Sequence, residues 1–281
     1  MTGTAASRRS ISTPRGTDLG HELDVAVATA EAAGALLIEA FGRPTIERRK
    51  GAHDVVTAAD HASERLIMNR LAAAFPADRR LGEETGMSRS PRGGDSGRTW
   101  IVDPLDGTIN YAAGLPIWCV SIGLAIDSRV ELGVIWDPIC DVTFAAIRGR
   151  GAWRVADGEP LAVRRLRRRA DAVVAADPGD EADVITDDRI RAIRARVRAL
   201  RVPGSIAWSL TALATGLLDG VLQVRGLQAV DVAAAGLLAL EAGARVTAAD
   251  GGPWINVEDP TTGRGIAAGP PAIHRLLVAE A

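Results

Sequence analysis

The chain has 281 residues, of which 47% are hydrophobic and 24% charged, and its formal net charge is −2. These values are typical of a globular protein, and the slightly acidic balance argues against a general attraction to nucleic acid or an anionic membrane. No apolar run approaches the ~18 residues that a membrane-spanning helix needs. Cys119 and Cys140 both lie in apolar sequence, so we expect them to be reduced in the core of a cytoplasmic protein.

The N-terminal part predicts a disordered tail followed by two helices. Residues 1–18 are rich in Ser, Thr, Gly and Arg and show no secretory signal. Apolar residues over 23–41 recur at steps of three and four, which predicts an amphipathic helix. A strand-like run over residues 54–60 leads into a second helix, which ends at Pro76. The polar residues 85–99 predict a mobile surface loop.

An antiparallel block and then a change of pattern are expected further along. Turn residues separate the apolar runs 118–126, 131–136 and 142–147, so neighbouring strands should pair antiparallel. Beyond Gly158 strand and helix patterns alternate, and the two halves together predict stacked layers of helices and sheets. The alternating elements are a strand over 172–176, helices over 188–200 and 205–218, a strand over 220–224 and a helix over 231–242.

The most informative segment is Trp-Ile-Val-Asp-Pro-Leu-Asp-Gly-Thr, residues 100–108. Its apolar start predicts a buried strand that ends in two carboxylates, Asp103 and Asp106. Pro104 lacks an N–H group, so we expect strand pairing to stop there. The Gly-Thr pair predicts a turn whose N–H groups open a helix, a place where divalent cations and a phosphate could meet. Two carboxylates three residues apart repel each other unless a cation or a shared proton compensates.

Three further acidic segments lie at the ends of predicted elements. Asp60 and Asp231 each stand at a helix start, where either could be an N-cap, and Glu83-Glu84 could be an exposed turn. The four histidines show no ligand spacing, and no Cys/His cluster indicates zinc. Oxygen-only ligands favour Mg²⁺ over zinc or copper.

Taken together, these segments resemble the inositol monophosphatase family, the Mg²⁺-dependent, lithium-sensitive phosphatases of small molecules. The resemblance extends from about Leu23 to about Leu277. It rests on five motifs in the family's order: Asp-Val-Val-Thr-Ala-Ala-Asp (54–60), Gly-Glu-Glu-Thr (82–85), Trp-Ile-Val-Asp-Pro-Leu-Asp-Gly-Thr-Ile-Asn-Tyr (100–111), Pro-Gly-Ser (203–205) and Val-Asp-Val-Ala-Ala-Ala-Gly (230–236).

The resemblance implies an α+β fold, a layered α-β-α-β-α sandwich of the inositol monophosphatase and fructose-1,6-bisphosphatase type. It implies one phosphatase domain over residues 19–281, with a metal-binding half (19–157) and a substrate-side half (158–281). It also implies a small-molecule phosphate substrate, two to three Mg²⁺ ions in each active site and a homodimer.

Metal ligands follow from the same resemblance, residue by residue. Glu83, Asp103 and the backbone carbonyl of Leu105 match the family's first metal site. Asp103, Asp106 and Asp231 match the second site, so Asp103 would bridge two cations. Glu83 would also bind a third, weaker ion near the attacking water.

The catalytic and substrate-binding residues are implied in the same way. Thr108, held by Asp60, would orient and deprotonate the attacking water together with Glu83. The N–H groups of Gly107 and Thr108 would bind the phosphate oxygens. The further residues expected to contact substrate are Asp106, Gly204, Ser205 and Arg225.

Two departures from the family pattern leave the substrate open. The residue before the last motif's aspartate is usually Trp and is Val230 here. Inositol-specific members have a Glu seven residues before that aspartate, and counting back from Asp231 gives Val224, which cannot accept a hydroxyl proton. Arg225 could meet a second anionic group or be an exposed loop residue. We expect hydrolysis of a sugar-like phosphate monoester, inositol 1-phosphate first, with fructose 1,6-bisphosphate, histidinol phosphate and 3′-phosphoadenosine 5′-phosphate as alternatives.

An alternative of another class is a non-catalytic regulator that keeps this fold and binds RNA or protein. The five arginines within residues 164–169 could serve it. A solvated connector is the favoured interpretation, because no aromatic residue lies among the arginines and the chain is net acidic. Every matched acidic residue and Thr108 are retained, so we expect an enzyme.

Overall fold

Two β-sheets separate three layers of helices in the computed structural model, which describes residues 18–42, 46–49, 55–88, 96–179 and 187–280. The helices are α1 (Gly20–Ala40), α2 (Ala58–Ala74), α3 (Thr108–Ala113), α4 (Asp188–Arg194), α5 (Ile206–Ala214), α6 (Ala229–Glu241) and α7 (Pro271–Glu280). The strands are β1 (Ile46–Arg49), β2 (Val55–Thr57), β3 (Arg79–Gly82), β4 (Gly86–Ser88), β5 (Arg98–Asp106), β6 (Cys119–Ile126), β7 (Arg129–Asp137), β8 (Val142–Ile147), β9 (Gly151–Arg154), β10 (Val173–Asp177), β11 (Ala199–Arg201), β12 (Gly220–Leu227), β13 (Arg245–Thr247) and β14 (Arg264–Gly269).

The larger sheet has seven strands in the order β4-β3-β5-β6-β7-β8-β9. The pairs from β5 to β9 are antiparallel, as the turn residues between the apolar runs predict, and β3 joins parallel to β5. Nearly every residue of β5 and β6 is buried, because helices cover both faces. A strand buried on both faces is a continuous apolar run rather than an alternating one.

Helices α1 and α2 cover one face of the larger sheet, and α5 and α6 cover the other. The approach of α6 is close because Gly133 of β7 has no side chain. A Cβ there would lie 2.7 Å from the carbonyl oxygen of Ala234 on α6. This contact holds α6, whose first turn carries Asp231, against the sheet.

The smaller sheet completes the layers. Its five strands have the order β11-β10-β12-β14-β13; β10 is parallel to β11 and β12, and the other pairs are antiparallel. Its inner face packs on α5 and α6 and its outer face on α4 and α7. The buried side chains form three clusters, one for each helical layer. The predicted α-β-α-β-α sandwich is therefore confirmed, with a separate β1-β2 pair beside it.

Two predicted helices of the second half are too long. The helix predicted over 188–200 ends at Arg194, because residues 199–201 pair as β11 in parallel with β10. The helix predicted over 205–218 ends at Ala214, before Gly216 with a φ of +79°. The strand at 46–49 and the strands and helix after residue 244 have no counterpart in the sequence-based prediction.

The cysteine prediction holds for one residue and is wrong for the other. Cys119 is a buried free thiol on β6. Cys140 is also free but exposed, because it lies in the turn between β7 and β8.

Several expectations concern segments at or beyond the limits of the described residues. The predicted tail lies outside them except for Asp18, which accepts the N–H of Gly20 at 3.2 Å. The predicted loop over 85–99 contains β4 and the start of β5, and residues 89–95 lie outside the described part. The predicted division after residue 157 falls between the two sheets and stays a prediction. None of the helices in the described ranges has the length and hydropathy of a membrane span.

Candidate active site

The two carboxylates of the central motif lie at the buried end of β5. Pairing with β6 stops after Asp103, as the proline predicts, but it resumes at Asp106, so the strand continues through Pro104 to Asp106. The interruption is a bulge between Asp103 and Asp106, and a residue without an N–H is tolerated at a bulge. In a regular strand, side chains three residues apart point to opposite faces. The bulge changes the direction of the side chains between these two positions, and both carboxylates line one cavity.

The turn after β5 opens a helix, as predicted. Gly107 has a φ of +95°, and α3 begins at Thr108. A Cβ at Gly107 would lie 2.8 Å from the carbonyl oxygen of Ile117. Both the left-handed backbone and the lack of space therefore require glycine. The N–H groups of this first turn have no partner within the helix.

Asp60 holds the hydroxyl of Thr108. The Asp60 side chain is buried, and its Oδ1 accepts the Thr108 hydroxyl at 3.0 Å. Its Oδ2 accepts the N–H of Thr57 at 2.9 Å and the Thr57 hydroxyl at 2.6 Å. Burial raises the pKa of Asp60, an effect that these hydrogen bonds oppose. The Thr108 hydroxyl also lies 3.0 Å from the carbonyl oxygen of Leu105.

Asp106 is bound by the first turn of α5. Its Oδ2 accepts the Ser205 hydroxyl and the N–H groups of Ala207 at 2.7 Å and Trp208 at 3.2 Å. Its Oδ1 accepts one longer bond, 3.3 Å, from the N–H of Ile206. A helix N-terminus stabilises a negative charge. Burial nevertheless raises the pKa of Asp106. These bonds fix the orientation of the carboxylate, and Oδ1 accepts fewer hydrogen bonds than Oδ2.

Asp231 and Asp60 have equivalent positions in their helices. Each is the third residue after the N-cap, and its carboxylate accepts the N-cap N–H: Gln228 to Asp231 at 2.6 Å and Thr57 to Asp60 at 2.9 Å. The alternative that these aspartates are themselves N-caps is therefore wrong. Such a capping box fixes the side chain at the helix start.

Asp103 lies at the centre of the negative charge. Its side chain is buried, and its Oδ1 accepts the N–H of Leu105 at 3.0 Å. Burial raises the pKa of Asp103 well above its usual value, and repulsion from Glu83, Asp106 and Asp231 raises it further. A bound cation would remove this repulsion.

Asp103, Asp106, Asp231 and Thr108 line one cavity of about 160 Å³, whereas Asp60 is outside its lining and contacts Thr108. Within the described residues, no three acidic, histidine or cysteine side chains are gathered tightly enough to hold an ion by themselves. Mg²⁺ usually binds one or two carboxylates and takes its other oxygens from water and substrate phosphate, so this arrangement fits the ion. The lining contains all five predicted metal ligands and the predicted phosphate-binding turn: Glu83, Asp103, Leu105, Asp106, Gly107, Thr108, Ile109, Gly204 and Asp231.

A larger cavity of about 510 Å³ adjoins the first and shares five lining residues with it: Glu83, Asp106, Ile109, Gly204 and Asp231. Gly204, with a φ of +75°, turns the chain into α5, and Ser205 is the N-cap of that helix. The predicted Gly204-Ser205 contact region therefore lies where the two cavities meet.

The far wall of the larger cavity differs from the sequence-based expectation. Val224 faces away from the cavity and packs in the outer hydrophobic cluster, whereas Gln223 lines the cavity. The pairing of β12 is irregular between Gln223 and Leu227. A count of seven residues back from Asp231 crosses this irregular stretch and therefore does not identify the residue that faces the cavity. Arg225 is exposed and does not belong to the lining, so the structure does not bring this predicted substrate residue into the site.

Four residues near the site were missed in the sequence. Gln223 and Asp177 line the larger cavity. Ser63 and Glu64 of α2 are buried and reach the backbone of the site. Their spacing from Asp60, at steps of three and four, places all three on one helix face and was the available signal.

Comparisons with known proteins agree with this geometry. A model of the inositol monophosphatase family matches residues 18–281. Inositol monophosphatase 2 of Solanum lycopersicum is 39% identical over 229 residues, 80% of this chain and 86% of the relative. The crystal structure of the extragenic suppressor protein suhB from Bartonella henselae is 33% identical, with a TM-score of 0.82, over 92% of this chain and 98% of that one. Inositol monophosphatase from Anabaena sp. PCC 7120 is 31% identical, with a TM-score of 0.77, over 94% and 96%.

Fold, site and similarities together define the protein as a hydrolase of phosphoric monoesters. The chain belongs to the inositol monophosphatase family.

Proposed function

We propose that the protein hydrolyses the phosphate monoester of a small polyhydroxylated alcohol with the help of two to three Mg²⁺ ions, and that inositol 1-phosphate is its leading substrate. The observation that carries the proposal is the position of Asp103, buried among three further carboxylates beside the turn that starts α3. The names of the relatives support inositol phosphate as the substrate.

The donor set is suited to Mg²⁺. When bound, the ions lower the pKa of water, polarise the phosphoryl group and stabilise the leaving oxygen. Glu83, Asp103 and the Leu105 carbonyl would hold one ion. Asp103, Asp106 and Asp231 would share the second with oxygens of water and of the substrate phosphate, and Glu83 would also hold a third.

The chain's own residues would orient the water and the phosphate. Asp60 accepts the hydrogen of the Thr108 hydroxyl, which leaves a lone pair on Oγ1 to hold the attacking water. The Glu83 carboxylate would accept the proton that this water loses. The N–H groups of Gly107 and Thr108 would donate to the phosphate oxygens.

The larger cavity would hold the alcohol. Its lining combines Ser205, Asp177 and Gln223, and it contains no lysine or arginine in the described part of the chain. Hydroxyl groups suit such a lining better than a second phosphate does. This favours a monoester of a neutral polyol over fructose 1,6-bisphosphate or 3′-phosphoadenosine 5′-phosphate.

The resemblance also leads us to propose a homodimer, a cytoplasmic location and inhibition by lithium, without a nucleic-acid or membrane partner. The regulator alternative loses support because one of its arginines, Arg164, forms an ion pair with the buried Asp219.

The test is a phosphate-release screen with Mg²⁺. We expect turnover of inositol 1-phosphate well above that of the two bisphosphates and histidinol phosphate. Asp103→Asn, checked for folding by circular dichroism, should lose this activity. Wild-type turnover in that variant would contradict the proposal, and a flat response across the panel would contradict the substrate.

A further inference from the structure

Helix α2 contacts two separate segments of the site with one face. Asp60 accepts the Thr108 hydroxyl at 3.0 Å, and the Ser63 hydroxyl donates to the Pro104 carbonyl oxygen at 3.0 Å. Glu64, the next residue, contacts the segment that carries Glu83. One rigid helix therefore links the segment that carries Glu83 to the segment that carries Asp103, Leu105 and Asp106.

Glu64 is the least expected of these residues, because it is a carboxylate only 1% exposed. Its Oε2 accepts the N–H of Glu84 at 2.8 Å. Its Oε1 accepts the N–H of Thr85 at 2.9 Å and also the Thr85 hydroxyl. Hydrogen bonds to an ionised acceptor are stronger than those between neutral groups. The turn that follows Glu83 is thus fixed by three donors on one carboxylate.

The residue before Glu83 meets the same carboxylate. A Cβ on Gly82 would lie 2.5 Å from Oε1 of Glu64 and 2.7 Å from its Cδ. The carboxylate therefore packs directly against the end of β3, and glycine is needed for this approach. Glu83 lies between Gly82 and Glu84, both of which Glu64 touches.

We infer that Glu64 is a positioning residue, which aims the Glu83 carboxylate into the metal cavity by holding the backbone on both sides of it. The inference rests on the proposed function, since it takes Glu83 as a metal ligand. A carboxylate suits the role because its two oxygens can accept all three donors. A glutamine would offer one oxygen and turn an NH₂ group toward a backbone N–H.

The experiment measures Mg²⁺ binding without substrate by isothermal titration calorimetry in Glu64→Gln. We expect the dissociation constant to rise by about ten- to a hundredfold, as is usual when a group that orients a metal ligand is lost. Hydrogen exchange of the peptide spanning residues 81–88 should become faster. Thr85→Val, which removes one of the three donors, should raise the dissociation constant less, in the same direction.

The matched control is Asp78→Asn. Asp78 is also a buried carboxylate, but it lies beyond the other end of α2, where it accepts from Arg98 Nε and Trp100 Nε1, each at 3.0 Å. We expect this variant to lose thermal stability and to keep its Mg²⁺ affinity. Equal Mg²⁺ affinity in Glu64→Gln and the wild type would overturn the inference. If Glu64→Gln does not fold, unchanged affinity in Thr85→Val would overturn it.

A fourth variant separates this inference from the proposed function. Glu83→Gln should weaken Mg²⁺ binding directly. If Glu83→Gln weakens binding and Glu64→Gln does not, only the inference about Glu64 fails. If Glu83→Gln leaves Mg²⁺ affinity unchanged, the assignment of Glu83 as a metal ligand fails, and the inference fails with it.

Discussion

Replacing Asp60 by asparagine should abolish most activity while leaving the protein folded. The Asp60 carboxylate accepts three hydrogens: the N–H of Thr57 at 2.9 Å, the Thr57 hydroxyl at 2.6 Å and the Thr108 hydroxyl at 3.0 Å. An asparagine has one oxygen, which can keep both donors of Thr57. Its NH₂ group then points at Thr108 Oγ1 and donates to it.

This reversal acts on the proposed water site rather than on the fold. The Thr108 hydroxyl can turn its hydrogen to the Leu105 carbonyl oxygen, 3.0 Å away, so no buried donor loses its acceptor. Removing a buried charge offsets part of the weaker bonding, because burial raises the pKa of Asp60. We therefore expect the free energy of unfolding to fall by no more than about 1.5 kcal/mol.

The expected loss of activity is larger. The asparagine NH₂ occupies the Oγ1 lone pair on which the attacking water would be held. Loss of the group that orients the attacking water for proton transfer to Glu83 should cost about 10²- to 10⁴-fold in kcat, or roughly 3–5.5 kcal/mol in the barrier. The assay is phosphate release from inositol 1-phosphate at saturating Mg²⁺, with urea unfolding measured on the same samples.

The control is Thr57→Val, which removes the helix cap but not the Asp60–Thr108 bond. It should destabilise the protein by about 1 kcal/mol and leave kcat close to the wild-type value. A folded Asp60→Asn enzyme with less than a tenfold loss of kcat, about 1.4 kcal/mol, would refute the role given to Thr108.

Three further predictions concern the turn, the larger cavity and the pH dependence of stability. Gly107→Ala should inactivate and destabilise the protein. Gly114 also has a positive φ, but no atom lies within 4 Å of a Cβ added there. Gly114→Ala should therefore cost about 1–2 kcal/mol of stability and keep kcat. Gln223→Ala should lower kcat/KM for inositol 1-phosphate about two- to tenfold, which corresponds to the loss of one hydrogen bond. The same variant should leave the turnover of 4-nitrophenyl phosphate unchanged. The control variant Val224→Ala should affect only stability. Burial and two nearby arginines lower the pKa of His274 in the folded protein. The unfolded chain therefore binds a proton at this histidine near pH 6.5, where the folded protein binds it less. The free energy of unfolding should therefore fall as the pH drops below about 6.5. In denaturant titrations, the fall between about pH 7.5 and pH 5.5 should be smaller in His274→Gln than in the wild type. An equal fall in both proteins would refute this.

Local sequence patterns were enough to predict the main helices and strands. The steps of three and four over residues 23–41 place α1, and the Gly-Thr pair at 107–108 places the start of α3. The layered fold followed from the resemblance, which rests on motifs at the ends of elements. Short strands such as β11 escaped prediction because the arginines around residues 194–201 allow a helix as readily as a strand, and pairing with β10 selects the strand.

The sequence by itself determined which chemical groups are available: carboxylates at element ends, a hydroxyl after a tight turn and no nitrogen or sulfur ligand cluster. The tertiary structure decided how these groups are arranged. The bulge at Pro104 places Asp103 and Asp106 on one face, although their spacing in a regular strand would separate them. The alternation of faces along β12 turns Gln223 toward the cavity and Val224 away from it, and the irregular pairing between Gln223 and Leu227 breaks the simple count from Asp231.

Contacts over long sequence separations could only be known from the fold. Glu64 reaches the turn after Glu83, and Asp106 is bound by a helix start about a hundred residues later. Periodicity and turn chemistry describe only a residue's near neighbours along the chain. A bulge leaves no clear compositional mark, and a buried carboxylate shows its partners only when the strands and helices are packed together.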